Sequence, residues 1–257
     1  MTPTDPPQGF DRFVFETANR YPKVRSDIPV YTIGPPGAPP VIVMHELTGL
    51  SRSCLDLAEE LALPDGGDAF RIYLPMFFGL PGMAKKLPVR GLWCMRREMH
   101  FLASNRTSPI TGLLRELVVD VAARSSREKV GVIGMCLTGH LVFGLMAETH
   151  TGAVVASQPS LPWSIGLPGY KKAALGVSDR DLIEAVHSGT PLMSLRFGDD
   201  RICPAQRLAT IESIFGPGPP APDTVNGKGH SVLTDDRGKA DPDRVPLVRE
   251  FLHQHLG

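Results

Sequence analysis

The stretch "KVGVIGMCLTGH" (Lys129–His140) joins an unbroken apolar run, Val130 to Met135, to a cysteine, and a helical pattern follows. An apolar run this short, with no polar alternation, fits a strand covered on both faces, as inside a parallel sheet. Two roles are open to Cys136 where that strand ends. Most cysteines are small, buried and inert. At a strand-to-helix bend, however, a tight turn lifts the side chain above the sheet, and glycines on either side let strand and helix pack closely. A helix N-terminus beside the sulfur favours thiolate over thiol, and its amides can stabilise an oxyanion. The spacing here is Gly134-x-Cys136-x-x-Gly139, with Thr138 where the G-x-S-x-G pattern has its second glycine.

Outward from this bend, strand-like and helical segments alternate. On the N-terminal side lie the apolar run "PVIVMHE", the helical "SCLDLAEELAL", the strand-like "FRIYLPMFF", and "SPITGLLRELVVDVAARSS". The last has Ser108 placed as a cap and Pro109 in its first turn, a helix-start signature. On the C-terminal side come "LTGHLVFGLMAE" (helix), "GAVVASQPS" (strand), "PLMSLRFG" (strand), "CPAQRLATIESIFG" (helix) and "DRVPLVREFLHQHL" (helix, Pro246 near its first turn). "GPPGAPP" (34–40) and "GPGPPAP" (216–222) hold too many ring-locked residues for helix or central strand and are loops. Alternation of this kind predicts an α/β fold, a mainly parallel central sheet with helices on both faces. No composition shift or repeat marks a boundary, so one domain over 1–257 is expected.

Composition excludes several function classes. Lys plus Arg balances Asp plus Glu at 27 each, which leaves no basic footprint for nucleic acid or a membrane surface. No apolar run reaches the roughly 18 residues of a membrane span. The opening "MTPTDPPQGFDRF" lacks a cationic start and apolar core, so a cytoplasmic location is expected. Cys54, Cys94, Cys136 and Cys203 form no CxxC pair, which predicts reduced thiols and no metal site.

In a parallel sheet, functional groups gather at the carboxyl ends of the strands. Three further positions meet that condition. Asp200, with Asp199 as its rival, follows "PLMSLRFG" in "GDDRICP"; adjacent aspartates there would also suit a cap for the next helix. His230 sits in "NGKGHSVL" between Gly229 and Ser231, on a loop downstream of both, where a general base belongs. Glu46 ends "PVIVMHE", and a carboxylate at the end of a buried strand is costly without partners.

"HELTGL", "GMCLTGH", "GDDRICP" and "GHSVL", in this order between Val41 and Leu233, resemble the motifs of the dienelactone hydrolase family, cysteine hydrolases of the α/β-hydrolase fold. The resemblance implies Cys136 as nucleophile, His230 as base and Asp200 as acid. It also implies Glu46 beside the thiol, where a carboxylate disfavours thiolate and can accept the S–H proton. The backbone amides of Leu47 and Leu137 would form the oxyanion hole. In familiar members an arginine four residues after the histidine holds the glutamate or a substrate carboxylate; here that position is Thr234, followed by Asp235 and Asp236. Arg97 or Arg96 in "LWCMRREMHF" corresponds to a second family arginine, and Trp93, Met99, Phe77 and Phe78 suggest an apolar pocket wall.

The expected function is therefore cofactor-independent hydrolysis of an activated ester or enol-lactone, with a small-molecule substrate and an oligomeric state the sequence does not reveal. A catalytically silent small-molecule-binding protein of the same fold is the alternative, since fold does not imply function. Glycines 131, 134 and 139 do not fit G-x-G-x-x-G, which disfavours a dinucleotide site. An exposed elbow thiol would also be open to oxidation.

Overall fold

The computed structural model describes residues 6–21, 24–47, 49–63, 68–77, 81–82, 107–160, 173–217 and 224–257. Its centre is an eight-stranded sheet in the order β1-β2-β4-β3-β5-β6-β7-β8. The strands are β1 (Asp11–Glu16), β2 (Asp27–Ile33), β3 (Pro40–Met44), β4 (Arg71–Pro75), β5 (Val130–Met135), β6 (Thr151–Ser157), β7 (Leu192–Phe197) and β8 (Thr224–Val225). From β4 through β8 every pairing is parallel; β1 and β2 run antiparallel at one edge. Among the described residues six α-helices accompany it: α1 (Arg52–Ala62), α2 (Pro109–Ser125), α3 (Leu141–Leu145), α4 (Asp179–Ser188), α5 (Ala205–Phe215) and α6 (Val245–Leu256).

Strand periodicity sorts the side chains onto two faces. Ile42 and Met44 of β3, Val132 of β5 and Val154 of β6 pack with α2, α3, α4 and α5. Val41 and Val43, Ile133 and Met135, and Ala153 and Val155 pack on the other face with α1 and α6. Burial on both faces is what turned these strands into continuous apolar runs.

α2 begins as its sequence predicts: the Ser108 side chain accepts from the Ile110 amide, with Pro109 inside the first turn. "LTGHLVFGLMAE" is helical in two pieces, a 3-10 turn over Cys136–His140 and then α3. β1, β2 and α4 are additions to the predicted elements. No helix among the described residues is long and apolar enough to cross a membrane.

Candidate active site

β5 ends at Met135 and the chain turns at once, with Cys136 at φ 55°. A non-glycine residue in this left-handed region is uncommon and strained, and here the strain turns the thiol back over the sheet edge. Gly134 is required by close approach: a Cβ there would lie 2.5 Å from the Thr138 carbonyl oxygen and 2.6 Å from Val142 Cγ1. Gly139 faces the next strand's exit, where a Cβ would lie 2.9 Å from Pro159 Cα.

Thr138, the departure from the G-x-S-x-G pattern, ties the bend together. Its Oγ1 accepts from the Met135 amide at 2.9 Å and lies within donating distance of the Met135 (2.9 Å), Met44 (3.1 Å) and His45 (3.2 Å) carbonyls. The hydroxyl thus joins the ends of β5 and β3, which are neighbours in the sheet with Met44 opposite Gly134. Leu47 and Leu137 each lie three residues past that pair, at the same edge. His45, fully buried, adds a second tie. Its Nδ1 is 2.7 Å from the Glu46 carbonyl, which can only accept, so Nδ1 carries the proton and Nε2 accepts from the Phe77 amide at 3.2 Å. Burial pushes this imidazole down to about 4, so it is neutral.

The sheet edge brings Asp200 and His230 to the cysteine. Asp200 follows β7 in a loop built by the buried Arg196, which donates to the carbonyls of Gly198, Asp200 and Cys203. Asp200 Oδ1 accepts from the Ile202 and Cys203 amides at 2.8 and 3.0 Å, and Oδ2 lies 2.7 Å from His230 Nδ1. Asp199 is exposed and, among the described residues, reaches only the Gly229 amide, at 3.3 Å. The loop carrying His230 is fixed by Asp236, whose Oδ2 accepts from the His230 and Ser231 amides at 2.8 and 3.2 Å. Burial disfavours a charged His230, but hydrogen bonds and charge from Asp200 and Cys136 outweigh it and push its pKa up to about 10.

Three neighbours of the site have no role that the sequence assigns. β6 lies beside β5, so the residues leaving it, Ser157-Gln158-Pro159-Ser160, fall next to the thiol. Ser160 Oγ is 3.3 Å from Cys136 Sγ and 3.2 Å from His230 Nε2. Gln158 Nε2 donates to Glu46 Oε1 at 3.0 Å, and Ser231 Oγ donates to Glu46 Oε2 at 2.8 Å. Thr234, where an arginine was expected, donates to Glu46 Oε1 at 2.6 Å. Glu46 is thus held by three neutral donors, and among the described residues no hydrogen bond joins it to the thiol. Trp93, Arg96, Arg97, Met99 and Phe78 lie outside the described residues; Phe77 packs obliquely on His45, ring centroids 5.2 Å apart. Among the described residues no group of three or more His, Cys, Asp or Glu side chains could hold a metal ion.

Burial raises the Glu46 carboxyl above its ordinary 4.5, and the Thr234 and Ser231 hydroxyls offset this only in part. Ionising it therefore costs more in the folded protein than in the unfolded chain, and above about pH 4.5 that cost counts against folding. A glutamine fits the same donors, with its oxygen facing Gln158 and Thr234 and its amide facing the rotatable Ser231 hydroxyl. Glu46→Gln is expected to gain in Tm relative to wild type as pH rises from 4.5 into the neutral range. A thermal-denaturation series over that range checks this; a constant difference, or wild type gaining with pH, would show that the buried charge is fully compensated.

A comparison of the sequence with curated proteins gives no match. Solved structures share the fold at low identity. A candidate dienelactone hydrolase from Klebsiella pneumoniae superposes with a TM-score of 0.56 at 18% identity, over 95% of this chain and 98% of that one. A candidate lipase from Acinetobacter baumannii gives 0.60 at 11% identity over 96% and 92%. The poly(3-hydroxybutyrate) depolymerase LpqC from Bordetella parapertussis gives 0.52 at 18% identity over 86% and 84%. The sheet order and helix placement, shared with these proteins, are those of the α/β-hydrolase fold. The model of the dienelactone hydrolase family matches residues 28–244, from β2 to the start of α6, so the chain is a hydrolase that belongs to this family.

Proposed function

We propose that the protein hydrolyses an activated ester or enol-lactone through an acyl-enzyme on Cys136. What carries this is the line of contacts from Asp200 Oδ2 to His230 Nδ1 at 2.7 Å and on, past Nε2, to the thiol at the bend. Asp200 holds a proton on Nδ1, so Nε2 is the nitrogen that exchanges a proton with sulfur, and Asp200 and the sulfur together favour the charged imidazolium once that proton has moved. The sulfur then attacks the carbonyl carbon, and the amides of Leu47 and Leu137 receive the negative charge that develops on oxygen. As the C–O bond breaks, His230 returns the proton to the leaving oxygen, which in a lactone stays attached to the acyl group. Water, deprotonated by His230, attacks the thioester and frees the acid and the thiol.

Glu46 fits a modulating role at one remove, through Ser231 next to His230 and through Gln158 two residues before Ser160. Its carboxylate meets Thr234 rather than a cation, so a second carboxylate on the substrate would find no compensation from that position. Neutral substrates are therefore favoured.

The test is an acyl-enzyme trap with a neutral p-nitrophenyl ester and its carboxylate-bearing analogue. The neutral ester should release one equivalent of p-nitrophenolate per chain in a burst. After an acid quench, mass spectrometry should find the acyl mass on the peptide containing Cys136, and prior alkylation should abolish it. A label on another residue, or turnover that survives alkylation of Cys136, would overturn the proposal.

A further inference from the structure

Ser160 belongs to none of the motifs that define the site, yet its hydroxyl stands between the two groups that must exchange a proton. We propose that Ser160 is a catalytic residue, a relay that carries the proton between the Cys136 thiol and His230 Nε2. This rests on the roles proposed above for Cys136 and His230.

The geometry suits both ends of the transfer. Ser160 Oγ is 3.3 Å from Sγ and 3.2 Å from Nε2, and a hydroxyl has one hydrogen to give and lone pairs to receive. With the thiol protonated, S–H donates to Oγ, and Oγ–H donates to the bare Nε2 left by the Nδ1–H bond to Asp200. With the proton transferred, Nε2–H donates to Oγ, and Oγ–H donates to the thiolate. Moving between these states breaks S–H as one O–H forms and breaks the other O–H as N–H forms. Serine ends as it began, and no co-reactant is needed. A hydroxyl that can reverse its bonds satisfies every polar group in each state, which a methyl group could not.

The chain holds this hydroxyl in place at some cost. Ser160 is fully buried, and its amide donates to the Cys136 carbonyl at 3.0 Å. Two residues earlier, Gln158 adopts φ 35°, a strained conformation for a non-glycine residue, with its amide 2.6 Å from the Leu195 carbonyl. Between them, the Pro159 carbonyl accepts from Nη1 of the buried Arg207 at 2.8 Å. Bonds to the Cys136 turn, to β7 and to the Arg207 side chain of α5 thus converge on the short segment that presents Oγ to the thiol.

The sulfur also acts on His230 itself, raising its pKa, so removing the relay leaves a slower route and a partial loss. Ser160→Ala should slow acylation by about 10- to 10²-fold, at the low end of what a positioned proton-transfer group contributes. Ser160→Thr, which keeps the hydroxyl, should recover most of it. Two readouts separate a relay from simple packing. The wild-type acylation rate in H2O/D2O mixtures should curve with deuterium fraction, as two protons in flight require, and become linear in Ser160→Ala. Iodoacetamide alkylation of Cys136 should shift to higher pH in Ser160→Ala, because the thiolate loses its donor, and return in Ser160→Thr. A linear wild-type inventory overturns the relay whether or not the variants fold. So does a Ser160→Ala protein with unchanged acylation and alkylation. Full hydrolysis by Cys136→Ala would instead overturn the assignment of the nucleophile, while the alkylation profile still reports on Ser160 at the thiol.

Discussion

Cys136→Ala is expected to lower p-nitrophenyl ester hydrolysis by about 10⁴-fold or more, the scale seen when a covalent nucleophile is deleted, with little effect on the fold. Alanine removes one sulfur from a site already nearly buried and keeps a Cβ that tolerates φ 55° no worse than cysteine does. The Ser160 hydroxyl, losing its sulfur partner, can still donate to His230 Nε2 at 3.2 Å, so no buried polar atom is orphaned. Stability should therefore stay within about 1 kcal/mol of wild type. Cys136→Ser should also lose most activity: it places an oxygen at the bend, but a hydroxyl is far harder to deprotonate than a thiol. Steady-state rates with matched circular dichroism check both. Hydrolysis by the alanine variant within about tenfold of wild type, against the large loss that covalent catalysis demands, would mean that another group attacks the substrate. Ser160, already against the base, would then be the first place to look.

The core strands were legible because each is covered on both faces and so carries an unbroken apolar run. β1 and β2 were not. β1 (DRFVFE) lies at the open edge with Arg12 and Glu16 exposed. β2 has Pro29 in its middle, facing Val14 across an antiparallel pair, a residue that argues against a strand when met in sequence. α4 (DRDLIEAVHS) was legible in principle, since Leu182, Ile183, Ala185 and Val186 form an apolar stripe behind the Ser178 cap, although Ala185 is its one fully buried residue. In the site, Cys136, Asp200 and His230 announce themselves through strand ends and flanking glycines. Gln158 and Ser160 show in sequence only as residues of "SQPSLP", which ends a strand near that edge; the pairing of β6 with β5 sets them beside the thiol and gives them partners. Arg196 and Arg207 look like surface charges in sequence, yet both are buried with their guanidiniums spent on loop carbonyls. Thr234 reads in sequence as a lost arginine; in the fold it donates to the Glu46 carboxylate, one of the two groups the resemblance gave that arginine to hold.

Asp200→Asn is expected to cost about 10³- to 10⁴-fold in kcat/KM, as tautomer loss does in other nucleophile–histidine–acid sites. The two faces of the Asp200 carboxylate dictate how asparagine must sit. Oδ1 receives two backbone amides, from Ile202 and Cys203, and Oδ2 receives His230 Nδ1. An asparagine that turned its NH2 toward the amides would set donors against donors and forfeit both bonds. Its oxygen therefore stays with Ile202 and Cys203, and its NH2 faces His230. Nδ1 must then accept, which moves the imidazole proton to Nε2, the nitrogen that should take the proton from sulfur. The same change removes the largest influence holding His230 in its charged form, so its pKa should fall from about 10. Nitrogen NMR of the imidazole reads both effects, as a switch of tautomer and a lower titration midpoint, alongside the rate. Asp199→Ala should stay close to wild type, because among the described residues that exposed side chain reaches only the Gly229 amide, at 3.3 Å. If Asp200→Asn kept near-normal activity and its Nδ1 proton while Asp199→Ala lost both, the acid would have to be reassigned to Asp199. The short contact to His230 would then be structural.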